Sequence, residues 1–259
     1  MLLALALLAT GLVAGILGAL LGLGGGIFLV PALTLIFGLP IRTTVGTSLV
    51  AVIATSAGVA AVAPSGRGAD VSLALRLEVA TAFGAVAGGL AAGLISPQFL
   101  SILFATVVFF TAAYMFLKGR KKSTSGVPER LFREDYTPHH WPAGLSIAGL
   151  AGMISGLLGV GGGFIKVPTM YAVMGVPLGI ATGTSNFMVG ITAAASVFIY
   201  YGRGDIHPLV VIPTALGVFA GAIVGVYLLP RVRISWLRTA LIGLLIVMGA
   251  QMLLKGLSG

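Results

Sequence analysis

The stretch LLGLGGGIFLVP at residues 20–31 returns as LLGVGGGFIKVP at residues 157–168, 137 positions later. Each copy sets three consecutive glycines inside an apolar run and closes on a proline. Glycine and proline interrupt helices, and in a membrane such interruptions occur where the backbone is buried in protein or lines a cavity. The stretch therefore predicts a membrane helix that breaks and restarts, twice in one chain.

The duplication extends beyond this motif. The same offset aligns GLP at 38–40 with GVP at 175–177, and GTS at 46–48 with GTS at 183–185. With small gaps, GRG at 66–68 aligns with GRG at 202–204. With further gaps, three positions of the first half, Gly84, Gly88 and Pro97, align with Gly217, Gly221 and Pro230. The sequence therefore predicts two copies of one unit.

Composition restricts the class of protein. The mean hydropathy is +1.12, with 58% hydrophobic and 8% charged residues, so the chain could not cover the surface of a soluble domain with polar groups. We predict an all-α polytopic membrane protein. The 39 glycines suit helices that approach closely through small side chains, because lipid supplies no hydrophobic force between them.

The net charge of +9 does not indicate nucleic-acid binding, because the basic residues lie in short loops between apolar spans. The absence of cysteine excludes disulfides, thiol catalysis and cysteine metal sites. Residues 2–9 resemble the apolar part of a signal peptide but lack a basic stretch before them, so we expect a retained helix.

Each unit contains five apolar segments. Four are near the length of about 20 residues that a bilayer requires, and the second, of about 11 residues, is much shorter. The segments are predicted at residues 2–23, 27–37, 44–63, 77–95 and 100–117, and at residues 142–158, 164–174, 180–200, 209–229 and 239–254. This gives four full helices and one short broken helix per unit.

Loop charges predict the orientation of the units. The connector 118–133 carries six basic residues and should be cytoplasmic. The loop 230–238 carries three arginines, whereas its counterpart 96–101 carries no charge, which parallel units would not explain. We predict inverted repeats: repeat 1 at 1–118, a cytoplasmic polar linker at 119–141, and repeat 2 at 142–259.

The glycine turns allow two interpretations. Gly24, Gly25 and Gly26, with Gly161, Gly162 and Gly163, either permit close helix packing or unwind a helix near mid-membrane. In the second case the freed backbone N–H groups at the start of each short helix would bind an anion. The pattern fits neither the dinucleotide fingerprint nor the P-loop.

Lys166 lies inside the short segment of unit two, where unit one has Leu29. A lysine at the bilayer centre costs roughly 2.5–3.5 kcal/mol on insertion scales, so it faces a cavity or a counter-charge, or else reaches the interface. The apolar segments of unit two contain no acidic residue, which favours an anionic ligand. Asp70, Glu78 and Asp205 are predicted at loop edges, which leaves no buried carboxylate as a proton relay.

Polar residues follow the broken segments in both units. They are Thr47 and Ser48 in the first, and Thr184, Ser185 and Asn186 in the second. Such residues are either N-caps and interhelical hydrogen-bond partners, or donors to the oxygens of an anion. We include them in the candidate substrate-binding set with the glycines and Lys166.

Arg67 and Arg203 occupy matched GRG turns with Asp70 and Asp205 nearby. Each is either part of a local ion pair or part of a mouth that attracts anions. His139, His140 and Trp141 suit a solvated loop or an aromatic belt at the membrane surface. We expect no metal, no cofactor and no catalytic set of nucleophile and base, and therefore no enzyme.

The duplicated G-x-G-G-G-x-x-x-x-P, followed by G-x-P and G-T-S, resembles the sulfite exporter TauE/SafE family of membrane transporters, over nearly all of the chain outside the linker. The resemblance implies a small sulfur-containing anion as the substrate. We therefore expect a secondary transporter, acting as an exporter of sulfite or organosulfonates, in the inner cell membrane. An anion channel and an accessory subunit of a larger membrane assembly remain the alternatives.

Overall fold

The computed structural model of the chain describes residues 2–22, 24–62, 69–120, 136–228 and 234–258. Within these ranges it contains helices and no strand, which confirms the all-α prediction. The helices are α1 (Leu2–Leu21), α2 (Gly26–Leu35), α3 (Ile41–Val62), α4 (Val71–Leu94), α5 (Pro97–Arg120), α6 (Trp141–Leu158), α7 (Gly163–Pro168), α8 (Leu178–Gly202), α9 (Pro208–Leu228) and α10 (Ile234–Ser258); a π-helical turn, Thr169–Val173, continues α7 directly.

Seven of the described helices are long and apolar enough to cross a membrane, and Gly26–Leu35 and Ile242–Leu257 are shorter apolar stretches. Large hydrophobic side chains, among them Phe83, Phe198 and Leu209, are exposed on the outside of the bundle. A surface of this kind is stable in lipid and would be unfavourable in water. The prediction of a polytopic helical membrane protein is confirmed.

Four helices of the second half begin 137 residues after their counterparts in the first half. The pairs of first residues are Gly26 and Gly163, Ile41 and Leu178, Val71 and Pro208, and Pro97 and Ile234. These starts need no gaps, so the gapped alignment of Gly84 with Gly217 is wrong by one helical turn. The packing agrees with the gap-free alignment. Gly84 contacts Gly149, and its gap-free counterpart Gly221 contacts Leu12. The two contacted residues, Leu12 and Gly149, are also 137 positions apart.

Small residues bring the helices of the two halves together. α1 packs along α9, and α6 packs along α4. A Cβ atom added to Gly15 would overlap the backbone of Val218, and one added to Gly152 would overlap the backbone of Thr81. Helices that touch through backbone atoms gain dispersion contacts that larger side chains would prevent. α3 and α8 pack against each other and against these helices, and the short helix α2 packs on α3 as α7 packs on α8.

Several helix boundaries differ from the prediction. α4 begins at Val71 instead of residue 77, because the Asp70 side chain caps it by accepting a hydrogen bond from Leu73 N at 2.9 Å. α3 begins at Ile41 instead of residue 44, directly after the proline of the GLP turn. Both helices therefore take in polar residues that hydropathy alone assigned to loops or helix ends. The early start of α4 matters for the candidate site, because it places Glu78 within the helix.

Most of the predicted linker, at residues 121–135, lies outside the described residues, so its cytoplasmic location stays a prediction. Tyr136, at its end, donates a hydrogen bond to the carboxylate of Asp70. Burial, followed by this contact with Asp70, raises the pKa of Tyr136. The end of the linker is thus held against the first turn of α4.

Candidate functional site

Both glycine turns have left-handed backbone. The φ angles are 80° at Gly24 and 72° at Gly25, and 80° at Gly161 and 74° at Gly162. Only glycine adopts such angles without strain, so the two turns require these residues for conformational reasons. Each turn lets the chain stop one helix and start a short helix immediately, as the sequence predicts.

The two turns meet in the interior. Gly24 and Gly161 both pack against the same two side chains, Val52 of α3 and Val189 of α8. A Cβ atom on Gly26 would overlap the carbonyl oxygen of Gly159. The structure therefore brings the two motifs of the sequence into direct contact, although they lie 137 positions apart.

The short helices α2 and α7 begin at this contact. In α2 the first helical hydrogen bonds run from Phe28 N and Leu29 N to Gly25 O, and in α7 from Ile165 N and Lys166 N to Gly162 O. The amides ahead of them precede the first turn of each helix and have no intrahelical acceptor. The positive ends of two helix dipoles consequently lie close together.

Prolines limit both short helices. Pro31 lies within α2, and Pro168 ends α7, after which the backbone continues as a π-helical turn whose Met174 N bonds to Thr169 O at 3.1 Å. Proline supplies no N–H to the helix, and π-helical turns occur frequently at functional sites. The next glycines, Gly38 and Gly175, have positive φ and end the segments.

Ser48 and Ser185 occupy equivalent positions but have different surroundings. Ser48 Oγ donates a hydrogen bond to Gly159 O at 2.7 Å and so ties α3 to the second glycine turn. Ser185 Oγ is buried and makes no hydrogen bond to any described residue. Both lie well inside their helices, α3 and α8, so the N-cap interpretation is wrong for them.

The neighbouring threonines also differ, but with the two halves reversed. Thr184 Oγ1 accepts a hydrogen bond from Asp70 N at 2.9 Å, whereas the buried Thr47 Oγ1 makes none within the described part of the chain. Neither is an N-cap, since both also lie inside α3 and α8. The side chain of Asn186 lies beside Gly22, next to the first glycine turn. The backbone carbonyl oxygen of Asn186 accepts a hydrogen bond from Ser56 Oγ.

Lys166 is buried and has a protein partner. Its Nζ donates to Thr192 Oγ1 at 2.5 Å and lies 3.7 Å from Glu78 Oε2. Thr192 Oγ1 in turn lies 2.6 Å from Glu78 Oε1. We call Glu78, Lys166 and Thr192 the buried charge cluster.

The cluster corrects two expectations. Glu78 is not at a loop edge: it is only 5% exposed, on the inner side of α4, because that helix starts at Val71. Lys166 does have a carboxylate counter-charge, which comes from the other half of the chain. The argument that Lys166 favours an anionic ligand because it lacks an acidic partner is therefore wrong. Reaching the interface is also excluded, since the Lys166 side chain is 1% exposed.

Arg203 makes several local contacts. Its Nε pairs with Asp205 Oδ2 at 2.9 Å, one terminal nitrogen donates to Gly89 O at 2.7 Å, and the guanidinium lies over the Tyr200 ring. The predicted ion pair with Asp205 is confirmed, and the role as an anion-attracting mouth stays a prediction. Arg67 lies outside the described residues.

Sequence reasoning missed three polar residues of the interior. Glu78 and Thr192 belong to the buried charge cluster, and the buried Ser155 Oγ has no hydrogen-bond partner among the described residues. Ser155 lies one turn before the second glycine motif, and its carbonyl accepts from Gly159 N. Ser155 could have been noticed in the sequence, because it is polar where the first unit has Gly18 at the aligned position. The pairing of Glu78 with Lys166 could not be predicted, because it depends on contacts between the units.

A cavity of about 370 Å³ lies apart from this site, between α1, α2 and α10. Thr10 is the one polar residue among those that line it, and the others include Phe28, Ala32 and Met248. Because it offers no charged group, this cavity does not suit an anion.

A bundle of long apolar helices, interrupted by two short helices that begin face to face beside a buried ion pair, is the architecture of multi-pass membrane transporters. A family model described as "Sulfite exporter TauE/SafE" matches residues 7–252, and the chain belongs to this family. It is accordingly a multi-pass transporter of the cell membrane, not an enzyme. The family's function, sulfite export, implies a small anion as the substrate.

The chain is also similar to the "Probable membrane transporter protein YunE" of Bacillus subtilis (strain 168). The two are 24% identical over 266 residues, and the similarity covers 97% of each chain. No solved structure matches the chain.

Proposed function

We propose that the protein is a secondary transporter that exports a small sulfur-containing oxyanion, sulfite or an organosulfonate. The anion binds where the two glycine turns meet, with Lys166 supplying the positive charge. The contact between Gly26 and the Gly159 turn carries this proposal, because it sets two helix N-termini side by side at the centre of the bundle. Helix N-termini attract anions through their free amides and their dipoles.

Unpartnered hydroxyl groups support this location. Thr47 and Ser185 are buried and have no hydrogen-bond partner among the described residues. Thr47 lies on α3 and Ser185 on α8, the two helices against which the glycine turns pack. A buried hydroxyl without a hydrogen bond is unfavourable unless a ligand or water satisfies it. Hydroxyls can donate to an oxyanion without adding charge to the interior.

The charge of Lys166 is available to the anion through its position on α7. Lys166 lies on the first turn of that helix, and its Cε is 3.5 Å from a Cβ position built on Gly162. The lysine side chain thus runs back along the second glycine turn. An anion at the turn would compete with Glu78 for the ammonium group.

Access to the site would require movement. The two turns are in contact, so the anion enters as they separate, first toward one side of the membrane and then toward the other. Rocking of one repeat against the other around a central site is the usual way in which inverted repeats give alternating access. The inversion itself is part of the proposal.

A binding screen tests the proposal. The purified protein is titrated with sulfite, sulfate, thiosulfate, sulfoacetate and taurine, and heat release or thermal stabilisation is measured. We expect at least one sulfur oxyanion to bind and to raise the melting temperature. If none of the five binds, the proposed substrate class is wrong.

The role of Lys166 needs a variant that folds. Lys166→Met alone leaves Glu78 buried without its partner, which costs about 3–5 kcal/mol. The double variant Lys166→Met, Glu78→Gln removes both charges and should recover most of that stability. We expect the double variant to bind the anion at least tenfold more weakly than the wild type. Equal binding would remove Lys166 from the site.

A further inference from the structure

We propose that Glu78 takes up one proton when the anion binds at Lys166, so that the anion and a proton cross the membrane together. This inference rests on the proposed function and names the coupling ion for it. It gives a role to the one buried carboxylate of the described chain, which anion binding alone does not require.

The first observation is the geometry of the carboxylate. One oxygen, Oε1, receives the hydrogen bond from Thr192. The other, Oε2, is buried, has no hydrogen-bond partner among the residues that the structure describes, and faces Lys166 Nζ at 3.7 Å. Glu78 is therefore held by a single hydrogen bond and by charge. An oxygen that lacks a donor is open to protonation.

The second observation is the isolation of the pair. α4 packs mainly against α6 and α8, and neither helix carries an acidic or basic residue. The titratable groups of α8 are Tyr200 and the exposed Tyr201. Tyr200 lies two turns after Thr192, and its hydroxyl donates a hydrogen bond to Gly156 O. On α4 itself, Arg76 lies over the Trp141 ring. Lys166 is thus the one charged group that faces Glu78 among the described residues.

Charge balance follows from this isolation. Without a ligand the cluster is neutral, with one cation and one anion. A bound anion on Lys166 would leave two negative charges against one positive charge in a dry interior, which is strongly unfavourable. One proton on Glu78 restores neutrality for a monoanion, and its release accompanies the release of the anion.

Thr192 can serve both protonation states of Glu78. Its hydroxyl accepts from Lys166 Nζ, and it has two acceptors within reach, Glu78 Oε1 at 2.6 Å and Met188 O at 2.9 Å. With Glu78 ionised, the hydroxyl donates to the carboxylate. With Glu78 protonated, the hydroxyl donates to Met188 O and can accept from the carboxyl group. The hydrogen-bond network is therefore satisfied before and after proton uptake.

The stoichiometry is one proton per anion. A monoanion then moves without net charge, and a dianion moves with one net negative charge. A gradient of pH imposed across a liposome membrane should drive accumulation of the anion on the alkaline side, because the proton is released there. Export from a cell by this coupling is driven by the outward gradient of the anion itself.

The experiment compares two measurements on the purified protein in liposomes. Labelled sulfite is followed in counterflow at equal pH, and then in accumulation driven by a pH gradient. Glu78→Gln removes the proton site and keeps the shape. We expect the ratio of gradient-driven accumulation to counterflow to fall at least tenfold in this variant. Asp205→Asn, which makes the same charge change in the partly exposed loop after α8 and away from the buried charge cluster, is the matched control and should keep the wild-type ratio.

The outcomes separate this inference from the proposed function. Wild-type counterflow without gradient-driven accumulation would overturn proton coupling and leave sulfite transport standing. An unchanged ratio in Glu78→Gln would likewise overturn the role of Glu78. Absence of wild-type counterflow would overturn sulfite transport, and the inference with it.

A direct measurement on the wild type covers the case in which Glu78→Gln fails to fold. The protein is placed in weakly buffered solution, and sulfoacetate, which does not titrate near neutral pH, is added while the pH is recorded. We expect uptake of one proton for each sulfoacetate bound. Sulfoacetate binding without proton uptake would overturn the inference. If sulfoacetate does not bind, thiosulfate or sulfate, which do not titrate near neutral pH either, takes its place; a protein that binds none of the five screened compounds would count against the site itself.

Discussion

At the scale of single residues, the site is defined by polar atoms that the fold buries in unequal surroundings. Equivalent serines of the two halves differ, because Ser48 bonds to Gly159 O and Ser185 has no partner among the described residues. Lys166 faces Glu78, whereas its counterpart Leu29 is simply buried. The two copies of the motif thus have different polar surroundings, as expected from the alignment of Lys166 with Leu29.

The two serines provide a matched test. Ser185→Ala removes a hydroxyl that has no hydrogen bond to the described residues. We therefore expect the free energy of unfolding to stay within about 0.5 kcal/mol of the wild-type value. We expect the affinity for the anion to fall by about 1 kcal/mol, roughly fivefold. Ser48→Ala removes the donor to Gly159 O and should lower stability by about 1–2 kcal/mol. Thermal unfolding and anion titration measure both. Unchanged affinity in Ser185→Ala would exclude that hydroxyl as a ligand.

The two glycine turns of the candidate site could be predicted from the sequence, because the glycine motifs are local patterns that appear twice. Gly24 to Gly26 and Gly161 to Gly163 are indeed brought together. The partner of Lys166 could not be predicted in this way. Glu78 lies in the other half of the chain, and a charge next to an apolar run ordinarily marks the end of a helix. Its burial became possible only because Lys166 is packed against it.

At the scale of helices, the glycine turns fix the positions of α2 and α7. Their left-handed angles let a helix stop and restart within a few residues, and Gly26 lets the two turns touch. The number and order of the helices could be predicted from apolar runs. The starts of α3 and α4 could not, because Arg42 and Arg76 lower the local hydropathy of segments that are helical all the same.

Gly26 provides the test at this scale. A Cβ atom in Gly26→Ala would overlap Gly159 O, so we expect a loss of about 1–3 kcal/mol as the turns are forced apart. Gly243→Ala is the control, because no atom lies within 4 Å of its Cβ position on the exposed side of α10. The control should gain about 0.5–1 kcal/mol from helix propensity. Equal melting temperatures for the two variants would contradict the contact between the turns.

At the scale of the whole molecule, the two halves exchange partners: α1 packs on α9 and α4 on α6, so that each half covers the other. The distribution of basic loops predicts that the halves are inverted in the membrane. The inversion concerns how the helices are oriented relative to the two sides of the membrane, so it is tested in intact cells.

Orientation is measured by labelling a single cysteine, since the chain has none of its own. We expect Gln98→Cys, in the exposed first turn of α5, to react with an impermeant thiol reagent in intact cells. Ser123→Cys, in the basic linker, should react only after the cells are opened. If Gln98→Cys is protected in intact cells, the inverted arrangement is wrong.

The central claim is that this chain alone moves a sulfur oxyanion through a site that contains Lys166, and counterflow tests it most directly. Liposomes with purified protein are loaded with unlabelled sulfite and diluted into a trace of labelled sulfite. We predict that the label rises transiently above its equilibrium level, and that this overshoot is absent in the Lys166→Met, Glu78→Gln double variant. Passive equilibration without overshoot would indicate a channel, no flux would contradict sulfite transport by the chain alone, and overshoot in the double variant would contradict the site.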